Sequence, residues 1–189
     1  MGENKTNKKL LTKTLIASAL VLTTVGSGFH SSSNYNGINN VAKAEQTTDN
    51  ELWKNVRDAL KEANIIDKTD NENVKVTYKL ANGGENSIEG TANLNELSNS
   101  NNKPINSDSV KSIDLSRKNP NGDRFDANDA WKKLTDKLKE KQIVKDGDTV
   151  TIHSKDEKDP KISAKVGEVY NDNKRLMLFK KDIDKITIN

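Results

Sequence analysis

The segment NDAWKKLTDKLKEKQIV, residues 128–144, decides the fold, because residues 50–66 repeat its pattern 78 positions upstream. Trp131 aligns with Trp53, and these are the only tryptophans in the chain. The apolar positions that follow also align: Leu134 with Val56, Leu138 with Leu60, Ile143 with Ile65 and Val144 with Ile66. A match of apolar positions at a fixed offset is typical of duplicated units. The sequence therefore predicts two copies of one structural unit.

Each copy begins with an amphipathic helix. In the first copy, Thr48 and Glu51 fit a capping box, which predicts a helix over residues 49–63. Asn64 then suits the left-handed conformation that ends helices. In the second copy, residues 126–129 supply candidate N-caps, and the helix is predicted to bury its tryptophan and leucines.

Alternating apolar and polar residues predict the strands. In the first copy these are residues 74–80 and 88–94, joined by a glycine turn, and a closing strand at 110–115. In the second copy they are residues 150–152, 162–166 and 183–188, and residues 176–179 form a continuous apolar run. Residues 45–50 are expected to be a polar lead, and residues 95–109 either a surface loop or an irregular edge.

The predicted fold class is α+β, because one helix lying across a small sheet buries the apolar sides of both. We expect two tandem units of this kind, at residues 45–116 and 129–189, joined by a polar linker at 117–128. Each unit is close to the lower size limit for independent stability, so the two are expected to pack together.

Residues 1–44 read as an export signal. A lysine-rich start precedes an apolar run at residues 15–25, and residues 42–44 form an A-x-A cleavage site. A cut nearer Ser27 or Gly28 is the alternative. The apolar run is too short for a stable membrane span, so no membrane insertion is expected after cleavage.

Removing the signal reverses the charge balance. The signal contains five of the 31 Lys and Arg and one of the 28 Asp and Glu, which leaves 26 basic and 27 acidic residues. The basic balance of the whole chain is therefore no argument for nucleic-acid binding.

The chain has no cysteine, which excludes disulfides and suits secretion by a Gram-positive bacterium. No apolar tail or sorting motif stands at the C-terminus, so we expect free secretion or non-covalent return to the cell surface.

The order of elements resembles a known family. The strand VKVTYKL at residues 74–80 and the ending KDIDKITI at residues 181–188 are similar to segments in the repeat of staphylococcal extracellular adherence (MAP-type) proteins. They also resemble the C-terminal domain of superantigens and superantigen-like proteins. The resemblance implies a β-grasp-like fold and a secreted virulence factor. MAP-type repeats begin with two strands before the helix, whereas only a polar lead is expected here, and no functional residue of the family can be matched.

Residues suited to catalysis or metal binding are few. His153 is the only histidine after the signal, and no cysteine or G-x-S-x-G motif accompanies it, so a solvent-facing histidine and a non-enzymatic protein are expected. No cofactor or metal is predicted. Two acidic groups, at residues 123–129 and 146–148, lack the calcium-loop pattern and are expected to cap helices and turns; a ligand role is the alternative.

Two features remain as candidate binding surfaces. The first is the exposed side of the second helix, with Lys132, Lys133, Lys137, Lys139 and Lys141. Asp136 and Glu140 interrupt it, so an ordinary solvated face competes with a polyanion site. The second is the pair of tryptophans, which either seal the helices onto the sheet or serve as exposed contact residues.

These observations predict a secreted, non-enzymatic binding protein that engages a host protein or matrix component, for adhesion or immune evasion. One alternative is an inhibitor of a host or bacterial enzyme such as a protease. Another is a cell-envelope or extracellular-matrix protein that uses the lysine side of the second helix to bind DNA or teichoic acid.

Overall fold

The computed structural model describes residues 46–189, so the predicted export signal lies outside the described residues. These residues lie within one compact unit. The described chain contains two helices and ten strands. In chain order they are β1 (Gln46–Thr48), α1 (Asp49–Glu62), β2 (Glu72–Lys79), β3 (Glu85–Thr91), β4 (Pro104–Asn106), β5 (Val110–Arg117), β6 (Arg124–Asp126), α2 (Ala127–Glu140), β7 (Thr149–Ser154), β8 (Ile162–Lys165), β9 (Met177–Phe179) and β10 (Ile183–Ile188).

The same order of elements occurs twice. Each helix follows a three-residue strand and precedes a hairpin, a second three-residue strand, a 3-10 turn and a closing strand. We call β1 to β5 the first half and β6 to β10 the second half. The 3-10 turns are Ser107–Ser109 and Lys180–Asp182.

The two halves share one antiparallel sheet. Its strand order is β3-β2-β5-β10-β7-β8, and the two closing strands pair at its centre, where Ile113 lies opposite Ile186. The α+β class is therefore confirmed. The boundaries at residues 116 and 129 stay a prediction, but the sheet runs without a break from one half to the other.

Local sequence explains where the helices begin and end. Thr48 and Glu51 form the predicted capping box at the start of α1, and Asp126 accepts a hydrogen bond from the Asp129 amide at the start of α2. Asn64 adopts the left-handed conformation that was predicted for it, with φ at 58°. Gln142, at the corresponding position after α2, has a φ of 54°.

Both helices pack on one side of the sheet, and their tryptophans seal the contact. Trp53 is 0% exposed and Trp131 is 3% exposed. Each indole N–H donates to a backbone carbonyl in the first strand after its helix, Trp53 to Val74 over 3.0 Å and Trp131 to Val150 over 2.9 Å. The sealing role is therefore confirmed, and the alternative of exposed contact tryptophans is wrong, because neither side chain is accessible.

Three segments predicted to be irregular contain short strands. The polar lead is β1, and it pairs with β4, which lies in the predicted surface loop. The predicted linker contains β6, whose Phe125 is buried and pairs with Leu178 of β9. Strands of three residues are too short to show alternation, which is why the sequence did not indicate them. The second strand of the first predicted hairpin was expected to end at residue 94. In the structure β3 ends at Thr91, and Leu94 is 40% exposed.

A buried ion pair lies where the two halves meet. Arg117 of β5 and Glu72 of β2 place Nε and Oε2 2.9 Å apart, and each side chain is 4% exposed. The contact is an ion pair without hydrogen-bond alignment. The remaining Arg117 nitrogens donate to the backbone carbonyls of Ile183 in the second half and Ile65 in the first, over 2.7 and 3.0 Å. Arg117, which had been assigned to the linker, therefore joins the halves.

A second cross-contact lies close to the first. Lys180, from the 3-10 turn of the second half, donates to Asn64 over 2.9 Å and to Asp67 over 2.8 Å, just beyond α1.

Burial raises the pKa of Glu72 most strongly, while the Arg117 charge opposes that rise. The Glu72 carboxylate thus depends on its arginine for the stability of its charged form.

We expect Arg117→Met to destabilise the fold by about 3–5 kcal/mol, because the change leaves Glu72 buried without its partner and two carbonyls without donors. Lys118→Met is the matched control, since Lys118 is exposed and its pair with Asp70 spans 3.7 Å. That variant should change the free energy of unfolding by less than about 0.5 kcal/mol. Urea unfolding measures both, and equal effects from the two variants would contradict the assigned role of Arg117.

Candidate binding surfaces

The sheet has one face that neither helix covers. Along β2, the core residues alternate with half-buried or exposed residues that point away from the helices. The other strands continue this face across the sheet. We call this surface the open face.

A row of six hydroxyl side chains crosses the open face, one from each strand. Strand pairing places neighbouring members of the row opposite each other at every step. Adjacent strands lie about 4.8 Å apart, so the row is about 24 Å long. In spatial order its members are Ser87, Thr77, Ser112, Thr187, Thr151 and Ser163.

The hydroxyl row is partly hydrogen-bonded within itself. Thr151 and Ser163 place their oxygens 2.7 Å apart, and Thr187 contacts His153 Nε2 at 2.9 Å. No hydrogen bond is found for the side-chain hydroxyls of Thr77 or Ser112 among the described residues. The middle of the row therefore has hydrogen-bonding capacity that a ligand or partner can use.

A second row of alternating charge runs beside the hydroxyl row. The strand register sets Glu89 beside Lys75, Lys75 beside Asp114, Asp114 beside Lys185 and Lys185 beside His153. Within this row, Lys185 and Asp114 form an ion pair of 3.7 Å. We call these five residues the charge row.

His153 lies at one end of the charge row, on the face opposite the core, as predicted. Its exposure differs from the prediction, because the side chain is half-buried and hydrogen-bonded to Thr187. Burial lowers the pKa of His153, and the positive charges of Lys161 and Lys185 lower it further, against the opposing effect of Asp184. Folding therefore favours the neutral imidazole of His153 more than an unfolded chain does.

Most of the lysines on the exposed side of α2 form ion pairs with carboxylates, which the sequence did not indicate. Lys133 pairs with Asp129 at 2.8 Å, and Lys139 pairs with Asp146 at 2.6 Å. Lys137 is half-buried between the helices, where it contacts Glu62 at 3.3 Å and Glu140 at 2.9 Å; Lys141 lies 3.6 Å from Glu140. Lys132 alone of the five predicted lysines has no carboxylate partner in the described part of the chain.

The acidic residues considered as calcium ligands instead cap a helix and a turn or form ion pairs. Asp126 and Asp148 accept backbone N–H groups at a helix start and a turn, and Asp129 and Asp146 pair with lysines. A different group comes together in space: Asp156, Asp159 and Asp182 have carboxylate oxygens within 4.8 Å of one another. Calcium takes six to eight oxygen ligands, so three carboxylates, one of them already bonded to Ser154, are an incomplete set.

The sequence does not reveal that the residues of the hydroxyl row lie side by side. Apart from Ser87, which precedes a predicted strand, each Ser or Thr stands at a polar position of a predicted strand, which is ordinary for a solvated face. Only the register between strands aligns them, and register depends on long-range pairing.

No helix among the described residues is long and apolar enough to cross a membrane.

The chain belongs to a family known as a domain of unknown function, DUF4888, whose model matches residues 48–188. The match begins at the α1 cap and ends at the last residue of β10, so it covers both halves. A comparison with curated proteins found no match.

The His153 environment predicts a pH effect on stability. A histidine whose pKa is lowered by folding must take up a proton at a cost, so the stability it contributes is present above its unfolded pKa of 6.5 and is lost as pH falls below it. We expect the free energy of unfolding of the wild type to fall more between pH 7.5 and pH 5 than that of His153→Gln. Urea unfolding at both values tests this, and parallel losses would contradict it.

Proposed function

We propose that the protein is a secreted, non-enzymatic binding protein whose open face engages a host protein. The observation that carries the proposal is the hydroxyl row with the charge row beside it, a polar surface that spans all six strands. A surface of this length suits a macromolecular partner better than a small molecule, since small-molecule sites are concave.

The charge pattern favours a protein over a polyanion. Lys75 and Lys185 alternate with Glu89 and Asp114, so a partner must offer both signs to match the row. A DNA or teichoic acid chain carries one sign and would be repelled at every second position. The ion pairs on α2 weaken the polyanion alternative in the same way.

We further propose that the two halves arose by duplication and that each is β-grasp-like. The support is the repeated element order, together with the matching tryptophan bonds to Val74 and Val150. The short strand before each helix adds to the resemblance to MAP-type repeats, in which strands precede the helix. Secretion and a role in adhesion or immune evasion are proposed on the export signal at residues 1–44 and on that resemblance.

The test is retention of plasma proteins on immobilised protein, identified by mass spectrometry, with two charge-reversal variants. Lys75→Glu combined with Lys185→Glu changes the open face. Lys132→Glu combined with Lys133→Glu changes the helix side by the same charge and is the matched control. We expect the open-face variant to weaken binding of the retained partner about tenfold or more, and the control to leave it unchanged.

Three outcomes would count against the proposal. Loss of binding only in the helix-side variant would move the site to the lysines of α2. Binding to DNA that weakens steeply with salt, without a protein partner, would favour the matrix alternative. Retention of no plasma protein by the wild type would remove the support for a host partner. If the retained partner is an enzyme and loses its activity, the binding protein acts as an inhibitor.

A further inference from the structure

The two edges of the six-stranded sheet differ in how well they are protected from further pairing. One edge is β8, which has only four residues, ends at Lys165 and follows Pro160 and Lys161. Short length, proline and lysine are devices by which natural proteins protect edge strands. The other edge is β3, which has seven residues and contains neither lysine nor proline. β3 is therefore the edge at which a further strand can add.

The backbone of β3 directs every second residue's N–H and C=O away from the sheet. Gly84, just before β3, accepts from Leu80, and Ala92, just after β3, donates to Glu72. Bonds of an antiparallel pair involve alternate residues, so the even-numbered residues of β3 bond towards β2 and the odd-numbered ones face outward. The outward-facing residues are Glu85, Ser87, Glu89 and Thr91.

Most of the outward-facing groups in the middle of β3 have no partner. The Ser87 amide donates to the side-chain oxygen of Asn86 over 2.9 Å. Among the described residues, no hydrogen bond is found for the outward N–H and C=O groups of Glu85 and Glu89 or for the Ser87 carbonyl. Glu85, Ser87 and Glu89 are all exposed. A strand laid along this edge would supply the missing partners.

The side chains at this edge define which kind of strand fits. On the open face, the exposed Glu85 and Glu89 form no ion pair with any residue of the described chain. On the helix side, Leu94 lies against Gly90 and is 40% exposed. A matching strand therefore carries basic residues on the open face and apolar residues on the helix side.

β2 already pairs with the inner edge of β3 in this pattern. Its Lys75 and Lys79 lie opposite Glu89 and Glu85 on the open face, and Val76 lies between them on the helix side. A strand on the outer edge would approach the same two carboxylates from the other side, at the usual spacing of about 4.8 Å. The lysines of β2 lie one strand further away, so the glutamates are the charges that the added strand meets first.

A second copy of this chain fits the edge less well than a basic strand does. If two β3 strands pair antiparallel about Ser87, Glu85 of each copy lies opposite Glu89 of the other. If they pair about Glu89, that residue lies opposite its own copy. Like charges directly opposite each other destabilise strand pairing, whereas opposite charges stabilise it.

We propose that the outer edge of β3 docks an extended segment of a partner protein, one that alternates basic and apolar residues, as a seventh strand of the sheet. Backbone bonds to Glu85, Ser87 and Glu89 hold the segment, and its basic side chains pair with the two glutamates. An apolar side chain contacts Leu94. This site does not depend on the proposed host-protein site, because its main contacts are backbone groups at the edge of the sheet.

The test uses the full chain and a capped peptide with the sequence of β2, NVKVTYK, residues 73–79. Binding is measured by the fluorescence anisotropy of the labelled peptide and by amide hydrogen exchange of the protein. We expect saturable binding, with exchange at the outward amides of Glu85 and Glu89 slowed at least about tenfold. The Ile88 amide faces β2 and should exchange as before.

Two control peptides separate the contributions of charge and backbone. NVEVTYE has glutamate in place of both lysines and should bind at least about tenfold more weakly, because it sets like charges opposite each other. An N-methyl group on the threonine of NVKVTYK removes the N–H that would donate to the Ser87 carbonyl. That peptide should also bind at least about tenfold more weakly.

Variants of the protein locate the site. Glu85→Lys combined with Glu89→Lys should weaken binding of NVKVTYK about tenfold or more. Glu157→Lys combined with Glu168→Lys makes the same change of charge at exposed positions near β8, and is the matched control that should leave binding unchanged. Ser87→Pro should abolish binding and keep the fold, because the N–H that it removes points away from β2.

Absence of saturable binding by NVKVTYK would overturn the proposal. Equal binding of the three peptides, or equal weakening by the two double variants, would also overturn it, since the attraction would then be unspecific. Faster exchange at Ile88 would show that the peptide displaces β2 instead of adding beside β3. Dimerisation of the chain alone, seen in sedimentation and lost in Ser87→Pro, would assign the edge to a second copy. If Ser87→Pro fails to fold, undiminished binding of the N-methylated peptide still contradicts strand addition.

Discussion

The pairing of Ile113 with Ile186, where β5 meets β10, is the constraint on which the rest of the structure depends. Each half offers one helix and three long strands, a small structure with little core of its own. Joining the closing strands makes a single six-stranded sheet with both helices on one side, and the buried residues of both halves form one continuous core. Small domains are marginal because they bury a low fraction of their surface, so this union is a direct route to stability.

The same constraint decides which surfaces are left for binding. With both helices on one side, the other side of the sheet remains open, and the strand register aligns its hydroxyl row and its charge row. The buried Arg117 and Lys180 contacts lie beside the same junction and tie each half to the other. The halves keep the same apolar framework and differ in their polar residues.

Much of this fold was predictable because its signals are local. The helices, their caps and the long strands follow from capping residues and from apolar periodicity, and the burial of Trp53 and Trp131 follows from their place at the start of an apolar stripe. The short strands β1, β4 and β6 were not predictable, since a single buried residue such as Phe125 shows no period. The polar surfaces were the least predictable part. The hydroxyl row depends on register across six strands, which local sequence does not reveal.

Amide hydrogen exchange across β5 and β10 tests most directly whether the two halves form one cooperative structure. The account predicts that the slowest amides of β2 and β5 and those of β7 and β10 exchange with one opening free energy, equal to that of global unfolding. It also predicts the same denaturant dependence for both sets, because neither half opens without the other. A lower opening free energy for the amides of one half, with a smaller denaturant dependence, would show that half unfolding alone and would contradict the account.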